Sequence, residues 1–155
     1  MRSPHYQYIL NEKPTVSWFE VLSDNYLCAG GLPLHYLERV RDRYPVTLHG
    51  VGMSLGSTDP LNLEYLERLK RLAERIQPVH ISDHLASISV GGHYLNDLVP
   101  LVYTEKESDR LVERILQVQD FLGCRILIEN PSPYITFTDS TMPEWEFVRE
   151  VVEKA

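Results

Sequence analysis

The chain has 155 residues, of which 43% are hydrophobic and 24% are charged, a composition that is typical of a globular domain and argues against disorder. Its net charge of −7, without a basic stripe, argues against a nucleic-acid partner, because binding to a phosphate backbone depends on clustered Lys and Arg. No run approaches the roughly 20 apolar residues that span a bilayer, and residues 1–14 lack the core of a secretory signal, so we expect a cytoplasmic protein with no membrane partner.

Predicted strands and helices alternate along the chain. Short β-branched or aromatic runs predict strands at residues 15–22, 45–49, 79–83 and 125–129. Apolar residues at spacings of three and four predict helices at about residues 34–44, 60–76, 105–122 and 142–151. This alternation is the pattern of βα units that form a parallel sheet.

Capping signals mark the starts of the last three predicted helices. The residues concerned are Asp59 before Pro60, Thr104 with Glu107, and Thr141 with Glu144. Gly123 ends the third helix, and a loop containing Gly91 and Gly92 precedes that helix.

The predicted fold class is α/β, a parallel β/α barrel of the TIM type. An eight-stranded barrel takes about 250 residues, whereas four strands are predicted here and residues 1–11 look like the end of a preceding unit. We therefore expect residues 1–155 to form a single domain that is about half of a barrel, truncated at both ends. Its open sheet edges could pair two copies of the chain. A flavodoxin-like sheet is the alternative, but the glycine cluster that usually marks its first βα turn is missing.

Three predicted strands lead into a side chain that can bind a metal. The second strand ends on His49, the fourth ends on Glu129, and His84 directly follows the third. The carboxyl ends of barrel strands form the active site, and two imidazoles with a carboxylate can hold zinc or non-haem iron. We therefore predict a metal site at these three residues. For a single histidine, a hydrogen-bonded structural role would be the commoner case.

Polar residues beside the strand ends are candidates for contacting substrate or orienting the ligands. They are Glu20, Asp24 and Asn25 near the end of the first strand, and Asp83 and Asn130 next to two proposed ligands. Turn capping is the alternative role for these residues. His80 has the strand parity of His84 but lies about 13 Å from it along an extended strand. The two cannot share one ion, so we expect His80 to pack in the core or in a lower layer of the barrel.

Four phrases resemble a known enzyme family. They are Trp18–Val21 leading to Asp24–Tyr26, Leu48–Gly56, Ser82–Leu85 and Leu127–Ser132. In this order they resemble the multinuclear non-haem iron-dependent oxidative enzymes, which were long classified as a domain of unknown function and include the methanobactin-biosynthesis oxidase. The resemblance extends from about Arg2 to the C-terminus.

The resemblance implies a xylose-isomerase-like barrel that holds two or three irons. Such enzymes use dioxygen to oxidise cysteine residues of a ribosomally made precursor peptide, which a separate recognition protein delivers. His49, His84 and Glu129 correspond to iron ligands of the family. Further ligands of the family pattern would follow residue 155, so we expect the chain alone to be inactive.

Two other classes of function remain open. The same fold and ligand types suit a zinc or manganese enzyme similar to sugar isomerases or abasic-site endonucleases, although the acidic charge disfavours an endonuclease. The chain could also be a non-enzymatic gene remnant, because Ser87 and Val102 stand where relatives usually carry Trp and Pro.

Overall fold

The computed structural model describes residues 1–155, which form six strands and five α-helices. The strands are β1 (Phe19–Leu22), β2 (Val46–His49), β3 (Ile81–His84), β4 (Ser87–Val90), β5 (His93–Val99) and β6 (Leu127–Glu129). The helices are α1 (Tyr6–Glu12), α2 (Leu32–Arg41), α3 (Leu63–Ile76), α4 (Glu105–Leu122) and α5 (Glu144–Lys154). Short 3₁₀ helices at Ser3–His5 and Ser23–Tyr26 precede α1 and follow β1. None of the five α-helices combines the length and apolarity needed to cross a membrane.

Four strands form a parallel sheet in the order β1-β2-β3-β6. Each pair of sequential strands is connected through a helix, as parallel neighbours require, and the four carboxyl ends therefore lie at one edge of the sheet. The predicted parallel α/β fold is confirmed to this extent, and it is compatible with part of a barrel. β1 covers only the second half of the strand predicted at residues 15–22.

The sheet has one buried face and one open face. Val21, Leu48 and Ile81 are at most 3% exposed and belong to one core with the apolar residues of α2, α3, α4 and α5. The opposite face carries Leu22 and Leu127, which are 37% and 52% exposed. Parallel sheets are normally covered on both faces, so the open face is a surface on which more protein or a substrate can pack.

The predicted helix boundaries are correct for α4 and wrong for the start of α3. Thr104 Oγ1 accepts a hydrogen bond from the Glu107 amide at 3.2 Å, and Gly123 ends α4 with a positive φ of 76°. α3 begins later than predicted because Asn62, and not Asp59, provides the side chain that caps its first turn.

The predicted start of α5 is also wrong, and a hairpin lies where no strand was predicted. α5 begins at Glu144, and the predicted Thr141 cap does not form, because the Thr141 amide donates to the Tyr103 carbonyl instead. Gly91 and Gly92 lie in a loop as predicted, but this loop is the turn of an antiparallel hairpin between β4 and β5, two strands that were not predicted; both glycines have positive φ. β5 is exposed along most of its length, so it lacks the alternating pattern by which a strand is recognised.

Two arginines of α4 hold the buried loop between β2 and α3. Arg110 and Arg114 donate five hydrogen bonds of 2.6 to 3.2 Å to backbone carbonyl groups of this loop. The acceptors are the carbonyls of Ser54, Leu55, Gly56, Ser57 and Asp59. A buried loop has no sheet or helix partners for its carbonyl groups, so the guanidinium groups take that role.

Replacing Arg114 with alanine should lower the free energy of unfolding by about 2 to 4 kcal/mol, because three loop carbonyls lose a charged donor. Arg71→Ala is the control, since Arg71 is 69% exposed and pairs only with Glu67 on its own helix, and its loss should cost less than about 1 kcal/mol. Urea denaturation measures both. Equal losses of unfolding free energy in the two variants would contradict the inference that Arg114 stabilises the loop between β2 and α3.

Candidate metal site

The parallel register brings the three predicted ligands together at the carboxyl edge of the sheet. His84 on β3 is the direct neighbour of Glu129 on β6. His49 on β2 is the neighbour of Ser82, two residues before His84 on β3. Because side chains alternate along a strand, all four of these residues lie on the open face.

The three side chains lie close enough to share one ion. The Nε2 atoms of His49 and His84 are 3.3 Å apart. Glu129 Oε2 lies 3.7 Å from His49 Nε2, and Glu129 Oε1 lies 3.9 Å from His84 Nε2. Two ligand atoms that are each about 2.1 Å from one ion at a tetrahedral angle are about 3.4 Å apart. The observed separations are therefore close to those of a ligand set around one ion.

Two serines fix His49. Its Nδ1 lies 2.8 Å from the hydroxyl of Ser82, and its backbone carbonyl accepts a hydrogen bond from Ser23 Oγ at 2.9 Å. Ser23 is fully buried. With Nδ1 held by a hydroxyl group, Nε2 is the ring nitrogen that remains for a metal.

The surroundings of His84 favour a positive charge. The ring is buried, and its Nδ1 has no hydrogen-bond partner. Asp83 Oδ1 lies 3.8 Å from that nitrogen, which is too far for a hydrogen bond. The Asp83 carboxylate, with a smaller contribution from Glu129, nevertheless raises the pKa of His84 above its usual value despite the burial. A proton or a metal ion is therefore stabilised here.

This donor set fits a divalent transition metal. Two imidazoles and one carboxylate suit zinc, iron and manganese alike, so the donors do not by themselves select one of these metals. The Glu129 side chain is 59% exposed. The site is therefore open toward solvent on one side, where a substrate atom could bind.

Three polar side chains hold the loop that follows His49. The amides of three successive loop residues each donate to a different side chain at 3.1 to 3.2 Å. The pairs are Val51 with Asp24 Oδ2, Gly52 with Tyr65 Oη, and Met53 with Asp83 Oδ2. Of the polar residues singled out in the sequence, Asp24 and Asp83 thus contact the loop of one candidate ligand.

The other three polar candidates lie outside this network. Glu20 is the register neighbour of Thr47, one layer below the site, and is exposed. Asn25 is also exposed. Asn130 donates to Glu144 Oε1 at 3.2 Å, which connects the end of β6 to the start of α5. Glu20, Asn25 and Asn130 form no hydrogen bond with the side chain of a candidate ligand.

His80 is exposed just before β3, so the expectation that it packs in the core or in a lower layer is wrong. It precedes the first residue of β3, at the amino end of the sheet, where its side chain meets solvent. It remains outside the cluster of His49, His84 and Glu129.

Sequence reasoning missed Ser82, Ser23 and Tyr65. Ser82 could have been found from strand parity, because it faces the same way as His84 two residues later. Tyr65 lies on the buried side of α3, where a tyrosine has the same periodicity as an apolar core residue. Ser23 had no signal beyond its position in a polar segment.

The fold and the site define an α/β protein with a candidate two-histidine, one-carboxylate metal site at the carboxyl edge of a parallel sheet. The family model described as RiPP precursor modification enzyme MbnB/TglH/ChrH matches residues 1–155. The chain belongs to this family, which acts on the precursors of ribosomally made peptides, and the family predicted from the sequence is confirmed.

Relatives of the chain are longer proteins. A UPF0276 protein of Acaryochloris marina is 57% identical over 155 residues, which cover 100% of this chain and 56% of the relative. A UPF0276 protein of an Anaeromyxobacter species is 50% identical, with 100% and 55% covered. One of Vibrio parahaemolyticus is 42% identical, with 99% and 54% covered. The chain thus spans about half the length of these curated relatives.

The half-buried carboxyl group of Asp24 should make stability depend on pH. Burial raises the pKa of Asp24 above its ordinary value of 3.8, and the nearby charge of Asp83 adds to this. The folded chain then binds this proton more readily than the unfolded chain, so this contribution to stability is full below the unfolded pKa and is lost as the pH rises through the folded pKa.

The Asp24→Asn variant lacks this titration and serves as the reference. The free energy of unfolding of the wild type, minus that of the variant, should rise as the pH is lowered from about 7 toward 4. Urea denaturation of both proteins across this range measures the difference. A difference that falls with falling pH would contradict the raised pKa.

Proposed function

We propose that the full-length protein that contains this chain is an iron- and dioxygen-dependent oxidase of cysteine residues in a ribosomally made precursor peptide. The iron would bind at His49, His84 and Glu129, with further ligands supplied by the part of the longer relatives that this chain does not cover. A separate recognition protein would deliver the peptide. The observation that carries the proposal is the approach of the two histidine Nε2 atoms to 3.3 Å, beside a carboxylate, in a member of a precursor-modifying family.

Each residue of the site has a role in this proposal. Bound iron would supply one-electron chemistry with dioxygen, for which imidazoles and carboxylates are suitable ligands. Ser82 keeps Nε2 of His49 free by holding Nδ1. The two oxygens of Glu129 approach different histidines, so this carboxylate would hold iron together with either imidazole.

We place the precursor peptide at the carboxyl ends of the strands, where the candidate ligands lie. Glu129 is the most exposed of the three side chains, so a cysteine sulfur could approach the site from its side. Leu22 is the register neighbour of His49 at the carboxyl end of β1 and is exposed, so it offers apolar contact to a residue that flanks the cysteine. Zinc or manganese at the same ligands is the alternative, and it would support a reaction without dioxygen.

The open face of the sheet is relevant to the proposed barrel. β1 and β6 are edge strands, and the sheet is covered on one side only. We propose that residues 1–155 are one part of a TIM-type, xylose-isomerase-like barrel, in which further strands of the full-length protein pair with these edges. In the isolated chain, two copies could pair through the same edges.

Cys28 and Cys124 are both exposed and unpaired, as in proteins of the reducing cytoplasm, where we propose that the protein acts.

The isolated 155-residue chain should bind one ferrous ion weakly, and no second one, under anaerobic conditions, because it provides only three clustered ligands. His84→Ala should abolish this binding. His80→Ala is the control, because His80 is exposed and lies outside the cluster, and it should bind iron like the wild type. Iron per chain is measured by metal analysis after gel filtration. Unchanged iron content in His84→Ala would remove this residue from the ligand set.

A full-length protein with these residues should consume dioxygen only when ferrous iron and precursor peptide are both present, and the isolated chain should consume none. In the full-length protein, His84→Ala should abolish the uptake, while His80→Ala should retain it. An oxygen electrode measures the uptake, and mass spectrometry of the peptide detects oxidised cysteine. Peptide modification by the zinc or manganese form without dioxygen would overturn the oxidase proposal, and an inactive full-length protein would favour a non-enzymatic remnant.

A further inference from the structure

Tyr65 lies on α3, away from the three candidate ligands, yet it contacts the loop that begins one residue after His49. Its hydroxyl oxygen accepts a hydrogen bond from the Gly52 amide at 3.2 Å and donates to Asp24 Oδ2 at 3.3 Å. Asp24 Oδ2 also accepts from the Val51 amide. The Tyr65 hydroxyl group therefore binds the Gly52 amide directly and is connected to the Val51 amide through Asp24.

The loop is also shaped to fit the Tyr65 ring. A Cβ atom at Gly52 would lie 2.2 Å from Tyr65 Cε2. A Cβ atom at Gly50 would lie 2.7 Å from Asp83 Oδ2 and 3.0 Å from Tyr65 Oη. Side chains other than hydrogen do not fit between the loop and these groups. The contact between loop and ring is therefore direct at both glycines.

The hydroxyl group remains a neutral donor and acceptor. Burial raises the pKa of Tyr65 far above its ordinary value, and the charges of Asp83 and Asp24 add to this. A phenolate beside two carboxylates would repel both. The group therefore keeps its proton and can donate to Asp24 while it accepts from Gly52.

The backbone around His49 is fixed by these contacts together with two others. Ser23 Oγ donates to the His49 carbonyl at 2.9 Å, and the Gly50 amide donates to the Ser82 carbonyl at 2.8 Å. Asp83 accepts from Met53 through Oδ2 and from the amide of His84 through Oδ1. Asp83 thus connects the loop of one candidate ligand to the backbone of the other. Groups that hold ligands in this way commonly affect metal affinity by about 10- to 100-fold.

We propose that Tyr65 is a positioning residue that, with Asp24 and Asp83, sets the separation of the His49 and His84 Nε2 atoms before a metal binds. The proposal deepens the proposed function and rests on its assignment of the ligands. Tyr65 does not touch the reacting atoms. Its effect passes through the loop at residues 50–53.

The test compares Tyr65→Phe with Tyr44→Phe in the 155-residue chain. Tyr44 also loses one hydroxyl contact, its 3.0 Å hydrogen bond to the Pro14 carbonyl, but it lies near the amino end of β2, opposite to His49. Cobalt(II) serves as the probe, because its absorption spectrum reports its coordination. Tyr65→Phe should weaken cobalt binding by about tenfold or more and change the spectrum, whereas Tyr44→Phe should leave both as in the wild type.

A second variant and a metal-free measurement separate this inference from the ligand assignment. Gly52→Ala should displace the Tyr65 ring and weaken cobalt binding in the same way. In the metal-free chain, NMR should show faster amide exchange at residues 51–53 and an altered contact between the His49 and His84 rings in Tyr65→Phe, but not in Tyr44→Phe. Wild-type affinity and spectrum in Tyr65→Phe would overturn the positioning role. If the wild type binds no metal, the ligand assignment fails, and unaltered exchange and ring contact in Tyr65→Phe would then overturn the positioning role separately.

Discussion

The parallel pairing of β2, β3 and β6 is the constraint on which the candidate site depends. Leu48, Ile81 and Ile128 belong to or pack against the core, so the alternate residues of each strand must face away from the helices. A shift of one residue in the pairing of β6 would turn Glu129 to the helix side and separate it from His84. Burial of the apolar face therefore fixes the register, and the register places the candidate ligands together. The energy that positions them comes from the core and not from contacts among the ligands.

This dependence explains what the sequence could predict. Strands show an alternating or β-branched pattern, and the residue that ends each strand is known once the strand is known, so His49, His84 and Glu129 could be found as candidates. The loop between β2 and α3 has no periodic sequence pattern, so its path could not be predicted. Helical periodicity shows which side of α3 or α4 carries Tyr65, Arg110 and Arg114, but not that these side chains contact the loop. The exposed strand β5 was missed because it has little to bury. Such contacts become predictable only when the backbone path is known.

The one-sided packing of the sheet accounts for the mixed character of the open face. Leu22 and Leu127 are apolar residues of the kind that an interior covers, while His49 and Glu129, as candidate ligands, would need access to an ion. Both requirements are met when apolar residues and ligands share a face that is partly covered. In this chain the buried His84 and the exposed Glu129 mark the two limits of that coverage. The candidate ligand set therefore ranges from an enclosed imidazole to a carboxylate that is largely exposed to solvent.

The difference in exposure between the histidines and Glu129 affects how a metal site would form. His49 is held by Ser23 and by Ser82, and the loop contacts of Asp83 and Tyr65 hold the backbone near both histidines. Ser82 lies beside His49 on the open face, but all of these groups belong to the chain itself, so the two histidines are held near one another before anything covers that face. Glu129 has no such support. The two imidazoles would therefore form a preorganised half of the site, and the position of the carboxylate would depend on the ions and the protein that it meets on the open side.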